Sequence, residues 1–188
     1  MSARARHCMV CGARLKPMMQ EGRPRRRCPR CGWIFYENPA PAAVAIVEGR
    51  GGLLLARRAA PPYEGTWDLP GGFIEADERP EQALVRELRE ELGARAVITG
   101  LHGFSIDHYG PHGIPVLAVV YVARLTGTPS PQSDVAEVRW FGWDALPWRQ
   151  IGFPSIRRSL REYVRKRTDR TPSSMRARSR AAKAAPSP

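Results

Sequence analysis

The sequence predicts an α+β protein in which a small cysteine-rich module precedes a larger domain. Three observations carry that reading. Cys8-Met9-Val10-Cys11-Gly12 and Cys28-Pro29-Arg30-Cys31-Gly32 are two CxxCG pairs. Apolar runs at residues 42–47, 53–56 and 116–125 have strand lengths and are bounded by Gly and Pro. Leu84, Leu88 and Leu92 recur at i, i+4 and i+8, the apolar stripe of an amphipathic helix.

The elements follow in order. Glycines ease the sharp turns of the two CxxC pairs, and a reducing cytosol favours metal over disulfides there. Four thiolates in two pairs suit tetrahedral Zn²⁺ on Cys8, Cys11, Cys28 and Cys31. So few apolar side chains could not fold a segment of this size without a staple. A closed four-cysteine site has no open position, so the metal is structural. Asn38-Pro39-Ala40-Pro41 is an extended linker. Residues 42–47 and 53–56, joined by Glu48-Gly49-Arg50-Gly51-Gly52, form a hairpin.

Leu69-Pro70-Gly71-Gly72 is a tight turn whose glycines let backbone approach a metal or phosphate closely. The helix that follows starts at an Asp77 cap with Pro80 in its first turn and ends at Gly93. Beside its leucine stripe run Glu87 and Glu91, with Glu90 next to Glu87. Three carboxylates on one face repel one another, and no lysines are interleaved. Arg86, four residues before Glu90, can hold that one carboxylate, while Glu78 lies outside the stripe. The remainder reads as a site for Mg²⁺ or Mn²⁺, which prefer carboxylate oxygen and water.

Short strands are expected near Val97-Ile98 and Phe104, a loop at residues 105–112, and a longer strand at 116–125. His108 and His112 fall in that loop, where histidines could contact phosphate. Residues 135–141 read as a strand and Asp144-Ala145-Leu146-Pro147 as a short helical turn. Ile156, Leu160 and Val164 mark a last amphipathic helix. From Thr168 the composition of Pro, Ser, Ala and Arg without apolar periodicity reads as a disordered tail. The expected organisation is thus a zinc ribbon at 1–38, a larger domain at 39–167 and a disordered basic tail at 168–188.

Composition adds a charge argument. The chain of 188 residues carries a formal net charge of +12, and the arginines crowd the cysteine module and the C-terminus. A basic surface attracts phosphate-rich partners, nucleotides or nucleic acid. No run approaches the ~18 apolar residues of a membrane span, and the N-terminus MSARARHCMVCG has no apolar signal core. The cytoplasm is the expected location.

The stretch LPGGFIEADERPEQALVRELREELGA fills the fixed positions of the Nudix box, with Ala94 where a larger aliphatic is usual. Together with the two cysteine pairs, YENPAPAAVAIV, GTWDLPGG, DVAEVRWF and GFPSI, it resembles the zinc-ribbon Nudix hydrolases over about residues 8 to 165. The resemblance implies a Nudix fold, a mixed β-sheet sandwiched between helices, and hydrolysis of nucleoside diphosphates linked to another moiety with Mg²⁺ or Mn²⁺. It implies Glu87 and Glu91 as metal ligands, with Glu90 and the Gly71 carbonyl near the metal. Glu87, Arg86 and Glu90 would make up the catalytic set, with Arg86 orienting Glu90. A further acidic ligand would be Asp134, with Glu137 as its substitute.

The NADH-pyrophosphatase branch carries a Ser-Gln-Pro-Trp-Pro-Phe-Pro-x-Ser signature, and SIDHYGPHG here keeps little beyond Ser105 and Pro111. Phe153-Pro154-Ser155 resembles a motif of the ADP-ribose and FAD relatives, which makes Phe153 a candidate substrate contact. The implied substrate is therefore ADP-ribose or FAD ahead of NADH. NAD-cap removal from RNA is one alternative, and a non-catalytic nucleic-acid-binding regulator is another. A homodimer is compatible with either.

Overall fold

The computed structural model describes residues 5–110 and 113–170. The chain divides into two compact units, Met1–Asn38 and Pro39–Pro188.

The first unit is a three-stranded antiparallel sheet of β1 (Lys16–Gln20), β2 (Arg23–Arg27) and β3 (Ile34–Phe35), in the order β1-β2-β3. Its β1–β2 hairpin turns on Glu21 and Gly22, both at positive φ (51° and 73°). Turns of that kind match the natural twist of the flanking strands. The small core holds Cys8, Leu15 and Cys28, with Trp33 and Phe35 packed against it.

The second unit is a seven-stranded mixed sheet between two helices. Its strands are β4 (Ala40–Gly49), β5 (Gly52–Arg58), β6 (Trp67–Asp68), β7 (Gly71–Phe73), β8 (Arg95–Tyr109), β9 (Ile114–Thr126) and β10 (Val135–Gly142). The main path runs β10-β5-β4-β9-β8, with β6 on β5 and β7 on β4. The β4–β9 pair is parallel, and the ladders of β10–β5, β4–β5, β4–β7, β5–β6 and β8–β9 are antiparallel.

Strand β4 shows why a near-continuous apolar run is needed. Ala42, Val44 and Ile46 face one core while Ala43, Ala45 and Val47 face the other, so both sides are buried. Helix α1 (Pro80–Leu92) covers the second face with Ala83, Leu84, Leu88 and Leu92. Helix α2 (Pro154–Arg170) covers the first with Ile156 and Leu160.

Several expectations shift. Helix α1 is preceded by Arg79, not capped by Asp77: the Arg79 N–H donates to Gln82 Oε1 at 3.0 Å. Pro80 lacks an N–H to be capped and has a fixed φ, so it sets the first helical position. Gly93 closes the helix in the left-handed region (φ 60°), as expected. The stretch 105–109 is strand, not loop. Strand β8 runs unbroken past Val97, Ile98 and Phe104 to Tyr109, with register shifts at 98/100 and 101/103. The segment around residues 144–147 forms turns rather than helix, Ala145 N–H donating to the Gly142 carbonyl at 2.9 Å. Helix α2 continues to Arg170, and the remainder of the expected tail lies outside the described residues, as does His112.

Candidate active site

The second unit holds a cleft of about 290 Å³ on the α2 side of β4 and β9. Its lining includes Gly71, Gly72, Glu87, Glu91 and Asp134 at one part, and Arg58, Asp68, Asp107, Tyr109, Phe153 and Ser155 at another. Among the described residues its lining has six carboxylates (Asp68, Glu75, Glu87, Glu91, Asp107, Asp134) and one formal cation, Arg58.

The glycine turn and α1 are fitted to each other. Gly71 N–H donates to Glu91 Oε2 at 2.9 Å. A Cβ on Gly71 would stand 2.2 Å from the Ala43 carbonyl oxygen, and one on Gly72 would stand 2.5 Å from the Glu87 carboxyl. Only glycines let the turn lie this close to β4 and to the helix. The end of α1 also places Asp134. Gln132 N–H donates to the Glu91 carbonyl at 2.9 Å and Ser130 N–H to that of Leu92 at 3.0 Å. The Asp134 carbonyl accepts from Ala59 N–H at 2.8 Å, pinning the segment to the end of β5.

Burial dominates the electrostatics. Glu91 is 8% exposed, and its burial pushes its carboxyl up to about 8 against the opposing Gly71 hydrogen bond. The charges of Asp134, Glu87 and Asp68 push the same way. Glu87 is likewise raised by burial, with Arg86 opposing. Asp68, buried as well, is pushed up to about 6, its Arg58 partner limiting the rise. A cluster of this kind resists ionising together unless a cation joins it.

Arg86 is the hub beneath the stripe. It clamps Glu78 with two bonds, Nε to Oε1 at 2.7 Å and Nη2 to Oε2 at 2.9 Å. Nη1 reaches Glu87 at 2.8 Å and Glu90 at 3.2 Å, and Nη2 also donates to the Phe73 carbonyl at 3.1 Å. Arg86 reaches Glu90 as expected, but it also holds Glu87, and its bidentate partner is Glu78, which is part of the assembly. Glu90 lies off the cleft lining, with a side chain about half exposed. Glu137 pairs with Arg57 and Arg139, which leaves Asp134 as the acidic side chain of that segment in the cleft.

The other part of the cleft is aromatic. Tyr109 and Phe153 stack at 6.0 Å with an 11° interplanar angle, and Phe73 meets Tyr109 edge-on at 5.5 Å. The Arg58 guanidinium sits 5.7 Å and 5.4 Å from the Tyr109 and Phe153 ring centres and bonds the Tyr109 hydroxyl at 3.2 Å. Asp107 Oδ2 accepts from Ser155 N–H at 3.1 Å, tying β8 to α2. Arg58, Asp68, Asp107 and Tyr109 were not singled out by the sequence. The signal lay in SIDHY: read as a strand, its alternation puts Ser105, Asp107 and Tyr109 on one face.

In the first unit the four cysteine Sγ atoms lie within 4.8 Å of one another. Sγ separations are 3.6 Å for Cys8–Cys31, 3.4 Å for Cys11–Cys28 and 3.7 Å for Cys11–Cys31. Tetrahedral Zn–S bonds of about 2.3 Å require edges of about 3.8 Å, so the cluster fits zinc and is far too open for disulfides. Cys31 N–H donates to Cys28 Sγ, the first of the causes that lower that thiol. Cys31, against a Trp33 hydrogen bond that lowers it, is raised by desolvation and by the thiols of Cys28, Cys8 and Cys11. Thiolate is the form that binds metal.

A glycine turn against an acidic helix, set on a mixed sheet between two helices, defines a Nudix-type domain. The chain belongs to that family: the NUDIX domain matches residues 38–163, and the Nudix N-terminal zinc ribbon matches residues 6–37. A NUDIX hydrolase crystal structure from Nitrosomonas europaea is 34% identical, with a TM-score of 0.75 over 89% of this chain and 95% of that one. An NAD-capped RNA hydrolase NudC from Pseudomonas aeruginosa is 30% identical over 147 residues, 76% of this chain and 49% of the relative. An ADP-ribose pyrophosphatase from Methanocaldococcus jannaschii is 33% identical over 133 residues, 70% of this chain and 76% of the relative. The chain spans about half the length of the NudC relative. No described helix is long and apolar enough to cross a membrane.

Proposed function

We propose that this Nudix protein is a metal-dependent pyrophosphohydrolase that cleaves a nucleoside diphosphate linked to another moiety. The observation that carries the reading is the sign of the cleft. Its carboxylate-rich lining sits in a protein of net charge +12, so an anionic diphosphate is repelled there until a cation is bound.

Glu87, Glu91 and Asp134 would hold the divalent ion, with Gly71 beside it, while Glu90, off the lining and bonded to Arg86, would add charge from the flank. Bound there, Mg²⁺ or Mn²⁺ supplies charge neutralisation of the diphosphate and an acidified water. Glu87, or a group outside this helix, would accept the proton; the Glu87 carboxyl is raised by burial, lines the cleft and is held by Arg86. Arg86 is a positioning residue, locked between Glu78, Glu87 and Glu90. Phe153, Tyr109 and Arg58 line the part of the cleft that would take the nucleobase. The four cysteines hold a structural Zn²⁺.

ADP-ribose or FAD is the favoured substrate, ahead of NADH, because residues 105–113 lack the NADH signature. The relatives named as NAD-capped RNA hydrolases support cap removal as the second reading. We assign the protein to the cytoplasm. We also favour a homodimer, supported by the open edge of β8 with Leu101, Phe104 and Ile106 exposed.

The test is a panel of ADP-ribose, FAD, NADH and NAD-capped RNA incubated with Mg²⁺ or Mn²⁺, with products identified by mass. Cleavage between the two phosphates, abolished by chelation, is expected. ADP-ribose or FAD should show a higher kcat/KM than NADH. Metal-independent turnover, or no cleavage of any diphosphate, would refute the activity. NADH as the best substrate would refute the specificity.

A further inference from the structure

We propose that one face of the ribbon sheet is a binding surface for single-stranded nucleic acid, such as RNA. Residues 5–38 carry eight Lys and Arg against two Glu. A zinc on four thiolates would subtract two charges and still leave the module basic.

The register sorts these cations by face. Lys16 pairs with Arg27, Met18 with Arg25 and Gln20 with Arg23, and side chains alternate along each strand. Lys16, Arg23, Arg25 and Arg27 therefore share one face, while Pro17, Met19, Pro24 and Arg26 share the other with Phe35. Among the described residues no carboxylate pairs with Lys16, Arg23, Arg25 or Arg27. Three of the four are arginines, whose planar forks match phosphate and stack on rings.

The same face carries a platform for a base. Tyr36 is 47% exposed, the Arg25 guanidinium lies 5.1 Å from its ring centre, and its hydroxyl accepts from Gln20 Nε2 at 3.3 Å. A ring fixed at both ends among unpaired cations suits an unpaired base, whose stacking tolerates any sequence. Duplex nucleic acid and membrane lipid would use the charge but not the ring. Arg27 leans toward Gly32 of the second CxxCG pair, so it is best left intact in any test. The surface lies wholly within the first unit and does not depend on what the cleft hydrolyses.

The experiment measures anisotropy of an uncapped, unstructured oligoribonucleotide against the full-length zinc-loaded protein over a salt series. Lys16→Ala/Arg23→Ala/Arg25→Ala should weaken binding and reduce the salt slope by about 2, at roughly 0.7 per lost phosphate contact. Tyr36→Leu should weaken binding about fivefold or more with the slope unchanged. Zinc content and turnover of a small dinucleotide should match wild type in both. If the triple variant loses zinc, Arg23→Ala alone, beside the exposed turn, decides the point by a slope drop of about 0.7. Unchanged affinity and slope would overturn the proposal and move binding elsewhere on the chain. So would equal loss on duplex for Tyr36→Leu, or full competition by anionic phosphatidylserine vesicles at matched charge.

Discussion

Glu91→Gln tests whether the buried carboxylates exist to hold a cation. Glu91 accepts one hydrogen bond, from Gly71, and shares its surroundings with Asp134, Glu87 and Asp68. Burial is the main reason its carboxyl sits at about 8 rather than 4.5. A folded-state pKa above the unfolded one means the native state binds the extra proton. The stability this provides is fully present below about 4.5 and is lost as pH rises toward 8. At about 1.4 kcal/mol per unit, ionising this group without metal costs roughly 3–5 kcal/mol. The metal-free wild type should therefore melt higher at about pH 5.5 than at about pH 8.5, and Mg²⁺ should close much of that gap. Glutamine keeps the size and can still accept from Gly71, but it cannot ionise. In thermal melts without metal at high pH the variant should gain roughly 5–15 °C. Its response to Mg²⁺ should shrink and its turnover should fall at least ~10²-fold. Near-wild-type turnover with unchanged Mg²⁺ dependence, or no gain in the metal-free melt at high pH, would refute the reasoning.

Two further outcomes follow from the geometry. Glu78→Gln removes the bidentate partner of Arg86 and frees it to turn more fully onto Glu87 and Glu90. Turnover at saturating Mg²⁺ should fall, though less than in Glu91→Gln, and the KM for substrate should change little; an unaltered kcat would show that Arg86 needs no clamp. Removing zinc with a strong chelator should unfold the first unit, whose core is little more than Cys8, Leu15 and Cys28, while the second keeps its melt. Metal analysis should find one zinc per chain, and its absence from freshly purified protein would refute the assignment.

The acidic helix was legible because its signal is local. Leucines four apart, Pro80 at the start and Gly93 at the end belong to one element, and the structure keeps all three. The hairpin of β4 and β5 was legible for the same reason: Arg50 and Gly51, both at positive φ, turn two apolar runs onto each other. Strand β8 was not. Its edge position and two register shifts break the alternation, and its partner supplies the pairing that the polar residues 105–109 do not advertise. What was lost with it was half of the cleft, because Asp107 and Tyr109 face inward only once the strand is recognised. The role of Glu78 was hidden in another way. It precedes the helix, and only the path of the loop before α1 brings its carboxylate onto Arg86.

The charges of both units suit the proposed class of ligand, one that carries phosphates. Outside the cleft, arginines give the chain a positive field that concentrates phosphates near its surface. Inside it, carboxylates oppose the same phosphates at close range, where the dielectric screens least. A basic exterior alone would bind nucleotides without chemistry, and an acidic cleft alone would exclude them. The buried, proton-retaining Glu91 marks where these demands meet: it is unfavourable as a bare anion and becomes favourable when a dication takes the place of its proton. The glycine turn keeps the backbone close enough to Glu87 and Glu91 that no side chain fills the space between them. On the proposed reading the cation lies at the glycine turn, and Tyr109, Phe153 and Arg58 line the part of the cleft that would take the organic half of a substrate.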